Sequence, residues 1–292
     1  MKYTIENEKL KISVNSLGAE LCSVTYKEDG VEHIWKGDPA VWGGQAPILF
    51  PYTGRLKDGK LSVDGKVYEG KPHGFARNFE HTMIRCEGNL LIMQLKSSPE
   101  TLELWPFRFR LESTFLLDGD TLHHTLRVEN TDQEPMTFGI GFHPAFAIPF
   151  DSQHTYEDYE LRFEKMESPL CLDTSCGGLL SGKTYYLGKN ITSIPLDTQL
   201  FANDSHLMVG LKSKTLGICE KDSGRGVVCS IGNTPYNLIW SMPGEPHFVC
   251  IEPWTSTPSP ADGDIAWENK PAAARLAPGE SYAITMSTAF VR

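Results

Sequence analysis

The amino-acid sequence predicts an all-β protein, a large twisted antiparallel β-sandwich, and three observations support this fold class. Apolar and polar residues alternate over many short runs, which is the pattern of half-buried strands. No segment keeps apolar residues at helical spacing for three turns. The 26 glycines and 19 prolines are spread along the chain and supply the turns that many short strands need.

The individual strands follow from this alternation and from the turn residues between the runs. Asp64-Gly65 is typical of a two-residue hairpin loop, and Asp118-Gly119 marks a second tight turn. The predicted strands, in chain order, cover residues 10–14, 60–63, 66–69, 90–96, 107–117, 122–128, 138–142, 238–242, 248–251 and 282–289. Short connecting helices are predicted at 39–42 and 99–104, and long surface loops at 173–182 and 258–270.

Composition limits the domain organisation and the partners. The chain has 292 residues, of which 40% are hydrophobic, so it has ample material for a core. It has no internal repeat and no low-complexity linker, and residues 1–292 are therefore predicted to form a single domain. A formal net charge of −10 argues against nucleic acid or an anionic membrane surface as a partner.

The cysteines and the N-terminal residues predict a cytoplasmic protein with free thiols. Seven cysteines, an odd number without any CxxC spacing, do not form a disulfide framework. The N-terminal residues contain no apolar signal core, and no later run is long enough to span a bilayer. No metal site is predicted, because no cysteines and histidines stand at zinc-ligand spacing, and the adjacent His123 and His124 point to opposite faces of a strand.

Two apolar strand-like runs each end near one ionisable residue, His143 in the first and Glu252 in the second. Alternation places His143 on a face with Gly141 and other small residues, which should leave empty volume beside the imidazole. Glu252 shares its face with Phe248 and Cys250, where a carboxylate must be paired, neutralised or used in chemistry. One potential acid and one potential base on rigid strands indicate proton transfer on a small polar substrate.

Four segments together resemble the aldose 1-epimerase (mutarotase) family. They occur in the family's order and are Phe50-Pro51-Tyr52-Thr53-Gly54-Arg55, Lys71-Pro72-His73-Gly74-Phe75-Ala76-Arg77, Gly141-Phe142-His143-Pro144 and Ile251-Glu252-Pro253-Trp254. The second segment is more similar to the LacX-type and hexose-6-phosphate mutarotase branch than to the galactose mutarotases. The resemblance implies the β-supersandwich of the galactose mutarotases and a cofactor-free isomerase that interconverts the α and β anomers of a hexose or hexose phosphate.

The resemblance also implies roles for particular residues. Mutarotation removes a proton from the anomeric hydroxyl while another proton reaches the ring oxygen. Glu252 would be the base and His143, as an imidazole suited to donating near neutrality, the acid. The two are expected on opposite sides of the sugar, across a gap as wide as a pyranose. Burial beside Trp254 should raise the basicity of Glu252.

Five further residues are candidates for binding the substrate. By resemblance, His73 and Arg55 occupy sugar-binding positions, and Asp204 falls where the family often has an aspartate that accepts from sugar hydroxyls. Trp254 is the one tryptophan whose position suggests stacking on the sugar, the others being assigned to the core or to interfaces. If Arg55 and Arg77 converge, they form a fork suited to a phosphate group.

Two other functions remain open from the sequence. A sugar-binding or sugar-sensing protein could keep the fold without turnover. A glycoside hydrolase could use Glu252 with Asp204 as a pair of carboxylates, although one carboxylate and one histidine are the stronger signal. In each case the ligand is a small-molecule sugar or sugar phosphate, and the protein is expected to be a monomer or a homodimer.

Overall fold

The computed structural model describes residues 1–232, 234–271 and 273–292, and its regular secondary structure is almost entirely β-strand. One short α-helix, α1 (Pro99–Leu104), is capped by Ser98, and four single 3-10 turns connect strands. The 3-10 turns are Lys57–Gly59, Ala76–Asn78, Tyr156–Asp158 and Trp267–Asn269. Within the described residues, no helix has the length and apolar character needed to cross a membrane.

Residues 1–167 contribute fourteen strands. They are β1 (Lys2–Glu6), β2 (Leu10–Asn15), β3 (Glu20–Tyr26), β4 (Ile48–Leu49), β5 (Lys60–Val63), β6 (Lys66–Glu69), β7 (Thr82–Glu87), β8 (Leu90–Lys96), β9 (Phe109–Asp118), β10 (Thr121–Asn130), β11 (Met136–Phe138), β12 (Gly141–Phe142), β13 (Ala145–Ala147) and β14 (Tyr159–Glu167). The remainder, outside residues 233 and 272, contributes β15 (Leu170–Leu172), β16 (Thr184–Tyr186), β17 (Ile191–Pro195), β18 (His206–Val209), β19 (Thr215–Glu220), β20 (Gly226–Ser230), β21 (Tyr236–Trp240), β22 (Phe248–Trp254), β23 (Ala274–Leu276) and β24 (Ser281–Val291).

Two large antiparallel sheets form the body of the molecule. One sheet has nine strands in the order β17-β14-β19-β20-β24-β10-β9-β8-β7. The other has eight, in the order β16-β15-β18-β21-β22-β12-β4, with β13 also paired to β22. A single apolar core takes side chains from both, such as Phe115 and Ile284 from the first and Ile239 and Ile251 from the second. The predicted all-β antiparallel sandwich is therefore confirmed.

The predicted strands correspond to 11 of the 24 strands in the described residues, and one predicted helix and one predicted strand were misjudged. The Asp64-Gly65 hairpin, the β9–β10 hairpin and α1 lie where the sequence predicts them. Residues 39–42 form a turn instead of a helix. The strand predicted at 138–142 is divided between β11, which pairs with β23 in a two-stranded sheet, and β12, which pairs with β4 and β22 in the eight-stranded sheet.

The two faces of β22 determine where a site can form. Val249 and Ile251 point into the core between the sheets, whereas Phe248, Cys250 and Trp254 belong to smaller apolar clusters on the other face of the sheet. Glu252 lies on this second face by alternation. The outer face of the eight-stranded sheet is thus the surface on which the site is built.

The small-residue face beside His143 does not leave empty volume, contrary to the prediction. A Cβ built on Gly141 would lie 2.6 Å from Cδ1 of Trp254, and one built on Gly139 would lie 1.9 Å from Oγ of Ser256. Both glycines are therefore needed because neighbouring side chains already occupy the space over them. The cavity next to His143 is bounded by other elements.

Substitution of Gly141 by alanine tests this packing. The added methyl group would collide with Trp254 and with the Pro253 carbonyl, at 2.6 and 3.0 Å, so we expect the free energy of unfolding to fall by about 1–3 kcal/mol. Urea unfolding measures the change. Gly43→Ala is the matched control, since its nearest neighbour would lie 3.8 Å away. Equal stability of the Gly141→Ala and Gly43→Ala proteins would contradict the packing described.

Candidate active site

His143 and Glu252 face each other because β22 has an interrupted neighbour. β12 pairs with β22 through Gly141 and Trp254, and β13 pairs with it through Ala145 and Cys250. Both pairs share one register, which places His143, in the interruption, directly opposite Glu252. The interruption also explains how a central strand accommodates Pro253, which has no N–H to give to a neighbour on that side.

The two side chains are close and almost fully buried. Nε2 of His143 lies 3.4 Å from Oε1 of Glu252, and Glu252 has no exposed surface. Neither oxygen of Glu252 has a hydrogen-bond partner among the described residues, nor does Nδ1 of His143. Both groups thus retain bonding capacity that is not used by the protein.

Burial moves the pKa values of this pair in opposite directions. The loss of hydration raises the pKa of Glu252 well above its ordinary value, an effect that the nearby indole N–H of Trp254 and the charge of Arg77 oppose. Burial, followed by the influence of His73 and Arg77, lowers the pKa of His143 well below its ordinary value. Burial therefore favours the uncharged form of each group, a carboxylic acid and a neutral imidazole. The raised basicity of Glu252 agrees with the prediction, whereas an imidazole protonated near neutrality does not.

A cavity of about 420 Å³ opens over this pair on the outer face of the sheet. All seven residues proposed from the sequence line it: Arg55, His73, Arg77, His143, Asp204, Glu252 and Trp254. They come from segments up to about two hundred positions apart. The structure therefore brings all seven predicted residues to one cavity.

His73 is held in a defined orientation by the loop that contains Gly54. Its ring Nδ1 accepts a hydrogen bond from the backbone N–H of Gly54 at 3.2 Å, and the backbone N–H of His73 donates to the Gly54 carbonyl at 2.8 Å. Burial and the charges of Arg77 and Arg55 lower the pKa of His73 to about 3, so its ring is neutral and carries the proton on Nε2. His73 also has a left-handed backbone, with φ of 67°, a conformation that costs energy and is concentrated at functional sites.

Three cations and one carboxylate surround the mouth of the cavity. Arg55, Lys71 and Arg77 line it, and none forms an ion pair with a carboxylate within the described residues. Arg77 is the most enclosed of them, and its charge influences the pKa values of both Glu252 and His143. Asp204 is exposed, and its charge contributes to the raised pKa of Glu252.

The sequence is similar to known proteins over nearly its whole length. The family model "Aldose 1-epimerase" matches residues 1–288. The chain belongs to the aldose 1-epimerase family. The chromosomal and plasmid forms of Protein LacX from Lactococcus lactis subsp. lactis are each 31% identical to it, and each match covers 98% of this chain and 99% of the relative.

Solved structures agree with this family assignment. The galactose mutarotase related enzyme from Lactobacillus acidophilus has a TM-score of 0.94 and 29% identity, covering 100% of this chain and 98% of that one. A galactose mutarotase-like protein from Lactobacillus casei has a TM-score of 0.92 and 26% identity, with 99% of each chain covered. The expected galactose mutarotase-like architecture is confirmed across the full length of this aldose 1-epimerase family member.

Two tryptophans that the sequence assigned to the core or to interfaces belong to the site of this family member. Trp42 stacks on His143, with ring centres 5.1 Å apart and planes inclined by 20°, and Trp240 meets the same imidazole edge-on at 5.7 Å. Both line the cavity. Trp240 could have been found by pairing β21 with β22, since it lies opposite Cys250. Trp42 carries no comparable sequence signal, because the loop that holds it is irregular.

The loops expected at the surface also contribute to the site. Thr174 and Gly178 from the first loop and Pro258 from the second line the cavity. A Cβ on Gly178 would lie 2.8 Å from Cδ of Arg55, and the backbone there has a φ of 82°, so only glycine allows this loop to lie against the arginine without strain. These loops form the rim of the cavity.

Two geometric expectations for the pair were wrong. Glu252 lies inside β22, two residues before its end, and not at a strand terminus. His143 and Glu252 stand side by side at 3.4 Å, and not on opposite sides of a sugar. Strand register explains the second correction, because the pairing of β12 and β13 with β22 sets His143 directly opposite Glu252.

Proposed function

We propose that this protein interconverts the α and β anomers of an aldose, with Glu252 as the base and His143 as the acid. The observation that carries the proposal is the buried pair, with Nε2 and Oε1 at 3.4 Å, at the base of a cavity of about 420 Å³. That volume accommodates a small ligand such as a pyranose. The adjacent acid and base match the separation of the two oxygens on the anomeric carbon.

The reaction moves protons without a net change. In ring opening, Glu252 takes the proton of the anomeric hydroxyl, His143 gives its proton to the ring oxygen, and the bond between the anomeric carbon and that oxygen breaks. The pair then consists of a carboxylic acid and a neutral imidazole, the form that burial favours in the empty site. Rotation about the bond between the first two carbons presents the other face of the aldehyde. Ring closure reverses both transfers: Glu252 gives its proton to the anomeric oxygen, and His143 takes one back from the oxygen that re-forms the ring.

The surrounding residues would hold the sugar and stabilise developing charge. Neutral His73, with its proton on Nε2, would donate to a ring or hydroxyl oxygen, and Asp204 would accept from hydroxyl groups. Trp254 presents an aromatic surface to the cavity beside Glu252. Hydrogen bonds from the sugar to the carboxylate would favour the ionised form of Glu252, which ring opening requires.

An anomer-exchange assay tests this function directly. Polarimetry or saturation-transfer NMR on a panel of aldoses and aldose 6-phosphates should show interconversion faster than the spontaneous rate. Absence of acceleration with every sugar would remove the enzymatic proposal. Calorimetric binding of a sugar without acceleration would instead favour the sugar-binding protein.

We further infer that the substrate carries a phosphate group, because three cations at the cavity lack carboxylate partners in the described structure. Arg55 and Lys71 are exposed at the rim, and Arg77 lies deeper. Guanidinium groups bind phosphate oxygens through paired N–H donors. This local positive charge contrasts with a chain whose net charge is −10. An uncharged sugar would supply no counter-charge to these three cations.

Substitution of Arg77 by alanine distinguishes a phosphorylated substrate from a free sugar. We expect the affinity for a hexose 6-phosphate to fall on the order of tenfold or more, as for a lost charge-assisted hydrogen bond, with a much smaller effect on the free hexose. Calorimetry should be used, because the charge of Arg77 also influences the acid–base pair and would alter turnover. Arg85→Ala, on the edge strand β7, is the control. Equal losses for both sugars would show that Arg77 does not bind phosphate.

A further inference from the structure

We propose that Cys250 completes, with His143 and Glu252, a buried site for a thiophilic divalent cation such as Zn²⁺, and that its occupation blocks the acid–base pair. Cys250 and Glu252 are two positions apart on the same face of β22, and His143 lies opposite them. Their ligand atoms (imidazole nitrogen, thiol sulfur and carboxylate oxygen) all lie within 4.8 Å of one another. This site goes beyond the proposed isomerase activity.

The geometry is near that of a tetrahedral zinc centre. Ligand atoms about 2.0–2.3 Å from a tetrahedral zinc lie roughly 3.3–3.8 Å apart. Nε2 of His143 and Oε1 of Glu252 are already at 3.4 Å, so only Cys250 needs to approach. Both Glu252 oxygens are buried without a hydrogen-bond partner among the residues described, so a cation would use bonding capacity that the protein leaves unused.

Charge also favours a divalent cation at this position. Binding would release the thiol proton of Cys250, because the thiolate is the form that binds a metal ion. The resulting thiolate, carboxylate and neutral imidazole around Zn²⁺ have no net charge, which suits a site without solvent. The sulfur, nitrogen and oxygen donors select Zn²⁺, Cd²⁺ or Co²⁺ over Mg²⁺.

The fourth ligand position would face the cavity. His143 and Glu252 line the cavity, whereas Cys250 lies behind them in a cluster with Trp35, Ala145 and Phe248. A bound cation would therefore occupy the nitrogen and oxygen atoms that the pair needs for proton transfer to and from a sugar. The inhibitory part of the inference rests on the proposed function, whereas the binding part does not.

A second cluster of possible metal ligands differs from this site because it already contains a cationic side chain. Asp151, His154 and Glu220 also lie within metal-binding distance of one another. There, Arg225 donates to Asp151 at 2.9 Å and lies 3.6 Å from Glu220, so an internal cation already neutralises the carboxylates. Cys250 and Glu252 have no comparable internal partner within the described part of the chain.

Cobalt titration of the intact protein tests the site without reference to turnover. Co²⁺ should produce a thiolate-to-cobalt charge-transfer absorption that an equivalent of Zn²⁺ abolishes and Mg²⁺ does not. Cys250→Ser should eliminate the absorption. Glu252→Gln, which keeps the thiol and the shape of the site, should weaken Co²⁺ binding by at least about tenfold.

Cys176→Ser is the matched control, because Cys176 is the exposed thiol of the chain. It should leave the absorption unchanged. An absorption that survives Cys250→Ser, or is lost in Cys176→Ser, would overturn the inference, as would a Co²⁺ affinity unaffected by Glu252→Gln. If Co²⁺ binds as described while no sugar is isomerised, the metal site stands and the proposed activity falls.

Discussion

Replacement of Glu252 by glutamine is expected to reduce anomer exchange on the order of 100-fold or more, the effect of removing a positioned general base. Glutamine keeps the shape of the side chain but cannot take the proton of the anomeric hydroxyl. Because the proposed sugar contacts of His73, Arg55 and Asp204 are unchanged, binding of the sugar should persist. Turnover by saturation-transfer NMR and affinity by calorimetry separate the two effects.

Glu167→Gln provides the control for this substitution. Glu167 is also a buried strand glutamate, but it lies outside the cavity and accepts hydrogen bonds from the N–H and hydroxyl of Ser213. It should retain full turnover. Sugar binding without acceleration, in both the original protein and the Glu252→Gln protein, would identify a sugar-binding protein without catalysis.

Replacement of His143 by asparagine should cause a loss of similar size, again on the order of 100-fold or more. Asparagine can still donate a hydrogen bond, but it cannot deliver a proton to the ring oxygen. It also removes the ring on which Trp42 stacks, so the position of the neighbouring groups should be checked by circular dichroism and by sugar affinity. The expected result is lost turnover with a conserved fold.

His123→Asn is the corresponding control. His123 lies on β10, in the other sheet, and its Nδ1 is 2.8 Å from the Ser287 hydroxyl. Its replacement should leave anomer exchange unchanged. If His143→Asn retained more than about a tenth of the turnover, another group would have to supply the proton to the ring oxygen, and the assignment of the acid would be wrong.

Much of the fold could be predicted because its determinants are local. Alternation located β8 and the long hairpin of β9 and β10, and Asp64-Gly65 specified the turn between β5 and β6. The division between β11 and β12 was missed because no residue in that run signals a change of sheet. Such a change depends on which strands lie nearby, and this is not encoded in a short window.

The chemistry of the site depends on contacts that no window of sequence contains. The distance between His143 and Glu252 follows from the register of β12 and β13 on β22, more than one hundred positions along the chain. The stacking of Trp42 on His143 needs a loop from a third region. Burial then disfavours the charged form of each group, because the cost of a charge depends on its surroundings.

The sequence by itself determined the class of the fold, the set of residues that line one cavity and the family to which the chain belongs, because these depend on residue type and local order. Only the tertiary structure decided that His143 and Glu252 stand side by side, that two more tryptophans enclose them and that a thiol lies behind them. Those features arise from strand register and from exclusion of water, which are properties of the folded chain as a whole.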